Sequence, residues 1–238
     1  MTPLIDTTFD VYSDTPEGRD PDRHSPTLRR YHQLLWGKLL PGGTPFELTR
    51  DRYRIYLHHD SALGQFALSS DSFVHTYRYI KATRPVVSRV PIAELEQFYA
   101  ICSTIGGYII FPSNRVDGKP TINGARGLNR KIRDRADLTL ECIRRHYDGQ
   151  ESPLREVLAR YADFFEIFQD FEGYVDFFLL QDLVAGPGKS VRFFLPFEDF
   201  DQGPLPATVD EYRAYMKAVA NFVVARNERI EAYARLLS

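Results

Sequence analysis

Cysteine is scarce in this 238-residue chain, with two residues, Cys102 and Cys142. Two cysteines cannot build a disulfide scaffold, and their separation lacks the paired spacing of a zinc site. Both lie in apolar patterns and read as buried free thiols. Long hydrophobic runs are missing too. The longest, residues 175–180 and 108–111, fall far short of the ~20 residues that a membrane span needs. The first twenty residues, MTPLIDTTFDVYSDTPEGRD, have neither a basic region nor an apolar core. The expectation is a cytoplasmic protein without a secretory signal or membrane contact. Net charge is nearly absent, at −2, which excludes whole-surface binding of nucleic acid. Hydrophobic content of 43% excludes a disordered chain. No Gly-x-Ser-x-Gly, HExxH, paired CxxC or GxGxxG occurs, and no cofactor or metal is expected.

Aromatic residues are plentiful, with 17 Phe and 14 Tyr beside a single Trp, so rings must fill much of the core. Residues 1–24 read as an extended or looped lead-in. Ser25-Pro26 then opens a helix carrying Leu28, Tyr31 and Leu35 at helical spacing. Short alternating segments at 46–48, 53–58, 65–68 and 73–79 predict a meander of antiparallel strands. Pro91 opens a second helix, which Gly106-Gly107 ends, and residues 108–111 read as a buried strand. A polar loop of residues 112–127 precedes an amphipathic helix marked by Ile132, Ala136, Leu140, Ile143 and Tyr147. Phe-rich helices broken near Gly173 occupy 153–183. Gly186-Pro187-Gly188 marks a turn and 191–197 a late strand. Thr208 with Glu211 forms the capping box of a final helix. The fold class is α+β in a single domain, with an antiparallel sheet mainly from the N-terminal half packed by helices mainly from the C-terminal half.

The small total charge conceals a block structure. Residues 113–147 hold nine basic and four acidic side chains, net +5, and residues 148–182 hold two basic and nine acidic, net −7. Either the blocks cancel within the fold or the basic one is an anion site, since clustered guanidiniums suit bidentate phosphate contacts. The loop SNRVDGKPTINGARG, residues 113–127, is the strongest candidate. It hangs between a buried strand and a helix, and its glycines let backbone approach a ligand. The anion-binding set comprises Asn114, Arg115, Asp117, Lys119, Asn123 and Arg126, with Arg130 and Arg144 lending charge. Asp117-Gly118-Lys119 also reads as a plain turn. A P-loop is rejected, because Ser113 replaces the first glycine and Pro120 separates Lys119 from Thr121.

Other constellations carry less. Arg52, Arg54, His58 and His59 meet a loose ribonuclease-toxin spacing, but they alternate like a strand instead of lying on a helix. Asp163, Glu166 and Asp170 read as a solvated helix face. Arg133 and Asp137 read as an i,i+4 pair, and Asp176, if buried among the phenylalanines, needs a cationic partner.

The stretches LSSDS, GGYIIFPSNRVDGKPTINGARG, DLTLECIRRHY, YVDFFLLQDLV and FFLPF resemble a family of uncharacterised bacterial proteins of about this length. The likeness spans residues 25–235 and implies a single-domain protein, with no activity, cofactor or catalytic residue attached. Two functions are therefore carried forward. One is binding or processing of a phosphate-bearing ligand such as RNA at the loop, including cleavage by a nuclease that uses no metal. The other is a non-enzymatic module that docks a protein partner or a second copy through its basic and acidic faces.

Overall fold

The computed structural model describes residues 4–50, 57–186 and 190–237. Two capped turns open it. Asp20 caps α1 (Pro21–His24) by accepting from the Asp22 amide, and Ser25 caps α2 (Pro26–Trp36) by accepting from the Leu28 amide at 3.0 Å. Each cap precedes a proline whose missing N–H costs nothing at a first helical position. The lead-in is not a loose arm: Ile5 and Val11 are buried, and the Val11 amide donates to Ser103 O.

Four strands follow as one antiparallel sheet in the order β1 (Thr49–Arg50), β2 (Leu57–Ser61), β3 (Gly64–Ser72) and β4 (Tyr108–Pro112). The expected meander is thus present, with two changes. Residues 46–48 carry no strand, and most of segment 53–58 lies outside the described residues, as do Arg52 and Arg54. Residues 73–79 form no strand either. Their register partner runs out where Ser72 pairs with Tyr108, and the segment turns at Tyr77, whose φ is +58°. It is tied down instead by two tyrosines of the last helix: Tyr215 donates to His75 O and Tyr212 to Thr76 O, both at 2.7 Å.

Helices α3 (Arg84–Val87) and α4 (Ile92–Cys102) lead into the buried strand β4. Beyond it come α5 (Ile122–Leu128), α6 (Ala136–Tyr147), α7 (Arg155–Ala159), α8 (Ala162–Glu166) and α9 (Phe171–Phe177). The expected loop of residues 112–127 therefore ends in a helix, started by Thr121. Gly173 lies inside α9 and does not break it; the break is at Asp170, which caps α9 through the Gly173 amide. The late strand shrinks to a ribbon of β5 (Val184–Ala185) and β6 (Ser190–Val191). Beyond it the Phe194 amide donates to Asp137 Oδ2 at 2.8 Å, so the chain serves α6 instead of a sheet. Residues 187 and 188 of the expected turn lie outside the described residues.

The final helix, α10 (Val209–Leu236), starts at Thr208 as the capping box predicts, with the Glu211 carboxylate reaching back to the Ala207 amide. It docks through Arg226, a buried guanidinium that donates to Gly106 O, Tyr108 O and Phe178 O. Burial pulls the Arg226 pKa down to about 9, so it remains a cation at neutral pH. The aromatic core centres on Trp36, Phe46, Phe168, Phe177 and Phe178, with ring centroids 4.9–6.3 Å apart. Edge and tilted contacts of this kind are the favoured aromatic geometries. The architecture is α+β. Among the described residues, no helix is long and apolar enough to cross a membrane.

Candidate functional site

The polar loop is a well-anchored turn. Ser113 donates its amide and its hydroxyl to Ala67 O, at 2.7 and 3.0 Å, where β4 leaves the sheet. Tyr161 donates to Asn114 O and Arg160 to Pro120 O, each at 2.9 Å. At the tip, Asp117 and Gly118 both take positive φ, +53° and +69°. Asp tolerates that region better than most residues, and Gly occupies it freely. Asp117 is thus a turn residue.

Of the eight residues in the predicted anion set, the fold brings two to one concave surface. Arg115 and Asn123 line a cleft of about 490 Å³. Asn114 and Lys119 are exposed outside it. Arg130 sits at a different depression, beside Lys131 and Phe200. Arg144 is held by Glu141 at 2.8 Å and Asp148 at 2.7 Å.

Arg126 is fully buried and has no face toward the cleft. Its guanidinium pairs with Asp71 and donates to Thr139 Oγ1 at 2.9 Å and to Phe73 O at 3.1 Å. The rings of Phe73 and Phe111 flank it at 5.5 and 5.4 Å. Its place in the anion set is therefore corrected: a guanidinium with its donors engaged in the interior cannot hold an external phosphate.

Much of the +5 block cancels internally. Arg135 pairs with Asp137, where the sequence suggested Arg133 as the partner, and Arg145 pairs with Glu141 at 2.7 Å. Lys131 reaches Asp201. The neutralising acids come from α6 itself, from β3 and from residue 201, with Asp148 contributing from the acidic block. Asp163, Glu166 and Asp170 are exposed, as expected of a solvated face. Asp176 is exposed as well, not buried among the phenylalanines, and it accepts from Gln181 Nε2 at 3.1 Å.

The remainder of the cleft comes from residues not singled out above. The lead-in supplies Arg19, Arg23 and His24 with Asp20 and Asp22, and β3 supplies Ser69 and Ser70. Among the described residues no ion pair engages Arg19, Arg23 or Arg115. His24 Nδ1 contacts Asp20 O at 3.0 Å, which makes Nδ1 the donor and leaves Nε2 for other partners. Ser25-Pro26 marks a helix start in the sequence, whereas Asp20-Pro21, which caps α1, falls in the stretch read as a looped lead-in. Nothing in local sequence indicates that they carry arginines across to residue 115.

Beneath the cleft lies a directed hydrogen-bond chain. The Trp36 indole N–H donates to His32 Nδ1 at 3.0 Å, so the neutral ring carries its proton on Nε2. Nε2 lies 2.8 Å from Ser70 Oγ and donates to it. Ser70 in turn supports the Asp22 carboxyl. Burial, with Arg226 and Arg29 nearby, pulls the His32 pKa to about 3. His32 therefore gives a proton to Ser70 and cannot take one, which rules out a Ser70–His32 nucleophile–base pair.

Two carboxyls at and near the cleft, Asp22 and Asp71, have raised pKa values. Burial, then Asp71 and Asp20, push the Asp22 pKa well up. Asp71 is raised to about 7 by burial and by Asp134 and Asp20, against the pull of Arg126. Cys102 and Cys142 are buried free thiols, and burial pushes Cys142 up to about 12. Among the described residues no group of three or more His, Cys, Asp or Glu is placed to hold a metal ion.

No curated protein and no solved structure matches the chain. Over residues 5–230 the sequence matches one family model, so the chain belongs to a family of unknown function, DUF6994.

Proposed function

We propose that the cleft binds a phosphate-bearing ligand. One observation carries the reading: Arg115 of the polar loop meets Arg19 and Arg23 of the lead-in around a single cleft, and no ion pair among the described residues engages any of the three. Guanidiniums free to fork onto phosphate oxygens are suited to that anion. The volume, about 490 Å³, falls in the range of small-ligand sites. Ser69, Ser113, Thr121 and Asn123 supply neutral donors and acceptors around the charge. The lining includes no Phe, Tyr, Trp or aliphatic side chain, and the ring it does include is the His24 imidazole, so it offers more to phosphate and sugar oxygens than to a base face. The polar sugar–phosphate portion of a ligand is what fits, whether as a small phosphate ester or as the backbone of RNA.

Calorimetric titration with inorganic phosphate, ribose 5-phosphate and a short single-stranded RNA tests the reading. Saturable binding of at least one probe is expected, weakened about tenfold or more by Arg115→Ala, the loss of one charge-assisted contact. If RNA is the ligand, the same variant makes the salt dependence shallower by roughly one phosphate contact. Silence with all three probes, or binding indifferent to Arg115→Ala, would overturn it.

A further inference from the structure

A second concavity of about 740 Å³ opens near the first along β3, where Asp71 and Ser72 succeed Ser69 and Ser70. Its character is opposite. Tyr12, Tyr79 and Tyr99 contribute rings over a floor that includes the buried Tyr108, and Asp10 and Glu96 contribute exposed carboxylates. Three large apolar side chains at this cleft stand in solvent: Tyr79 at 83%, Ile92 at 65% and Tyr12 at 55% exposure. Exposed apolar surface gathered at one cleft marks a binding region.

The ring faces already hold a cation. Arg78 lies 5.0 Å from the Tyr99 centroid and 5.3 Å from that of Tyr79. Tyr12 and Tyr108 carry no such partner among the described residues. The field around them is negative: Asp20, Asp22 and Asp10 all raise the pKa of both phenols, adding to burial. His75 adds no positive charge here. Its Nδ1 accepts from the Tyr77 amide at 2.7 Å, so the ring is neutral with Nε2–H 4.0 Å from Asp134. Asp71 is matched by Arg126, which leaves Asp10, Glu96 and Asp134 against Arg78 alone.

We propose that this tyrosine-lined cleft binds an organic ammonium ion, its alkyl groups against the exposed ring of Tyr12 and its charge answered by Asp10 and Glu96. An inorganic cation would gain little from the rings. An alkylated ammonium uses both the ring quadrupoles and the carboxylate field.

The test is titration of the full chain with choline and, separately, with spermidine. Choline is expected to bind saturably. Tyr12→Ala should weaken it about three- to fivefold, the loss of one exposed ring face, while Tyr12→Phe, which keeps the ring, should hold affinity. Glu96→Gln should weaken both ligands. Equal melting temperatures for the variants confirm intact folding. Binding of spermidine alone, steeply salt-dependent and indifferent to Tyr12→Ala, would mean an acidic surface without ring recognition and would overturn the proposal. So would the absence of any saturable choline signal.

Discussion

Alternation along β3 places Asp71 on the face opposite to Phe66 and Leu68, and it is buried there against the Arg126 guanidinium of α5. Its compensating charge among the described residues is Arg126, and burial beside Asp134 and Asp20 leaves the folded pKa near 7, against about 3.9 in an unfolded chain. The folded state therefore binds this proton more tightly, and the stabilisation it brings is complete below about pH 4 and lost as pH rises through about 7. His32 acts in the opposite sense. Its folded pKa of about 3 lies below the unfolded value of about 6.5, so the stability it contributes is lost as pH falls from about 6.5 toward 3. Urea midpoints measured across this range should separate the two. In Asp71→Asn, whose amide oxygen still accepts from Arg126, stability should no longer decline between pH 5 and 7. The wild type should decline relative to it by at most about 1.4 kcal/mol per pH unit. Parallel curves would show that Asp71 does not titrate there.

Helices announce themselves through caps and spacing, and those signals were read correctly at Ser25, Pro91 and Thr208. Cap chemistry is local: one hydroxyl or carboxylate and the amides two or three residues on. Strand signals are weaker because a strand exists only where a partner lies alongside. Residues 73–79 alternate like a strand, yet β4 offers no register partner beyond Tyr108, and α10 claims their carbonyls. How α10 docks was not legible at all. Asn227 Oδ1 accepts from the Gly106 amide at 2.8 Å, and a Cβ on Gly106 would lie 2.6 Å from that oxygen and 2.7 Å from Val223 O. Gly106→Ala must push α10 away from the turn ahead of β4. Chemical denaturation should show a loss of about 1–3 kcal/mol, the usual range for overpacking a tight contact.

Across the whole molecule, one guanidinium joins parts that are distant in sequence. Arg126 gathers β3 through Asp71, the turn after it through Phe73 O, and the start of α6 through Thr139 and Asp134 O. Arg126→Ala would leave a buried carboxylate uncompensated, at a cost of about 3–5 kcal/mol. A midpoint shift in urea of that size is expected, whereas Arg115→Ala, at an exposed position, should stay within about 0.5 kcal/mol of wild type. Similar losses for both variants would refute the division between an interior and a cleft arginine. Two clefts of opposite character flank the same strand, so the net charge of −2 results from segregation as well as cancellation.

The sequence by itself determined the aromatic core, the helix starts at Ser25, Pro91 and Thr208, the α+β class and the polar turn ahead of α5, because periodicity, capping and turn chemistry act over a few residues. It also marked the arginines of residues 113–147 as a group. Only the tertiary structure decided which of them open into a cleft and which are spent on internal pairs. Whether a guanidinium meets a carboxylate 55 residues away, as Arg126 meets Asp71, or opens into a cleft beside Arg19 and Arg23, as Arg115 does, depends on burial and distance in three dimensions. Adjacent arginines look alike in a linear chain; desolvation and the nearest opposite charge set them apart.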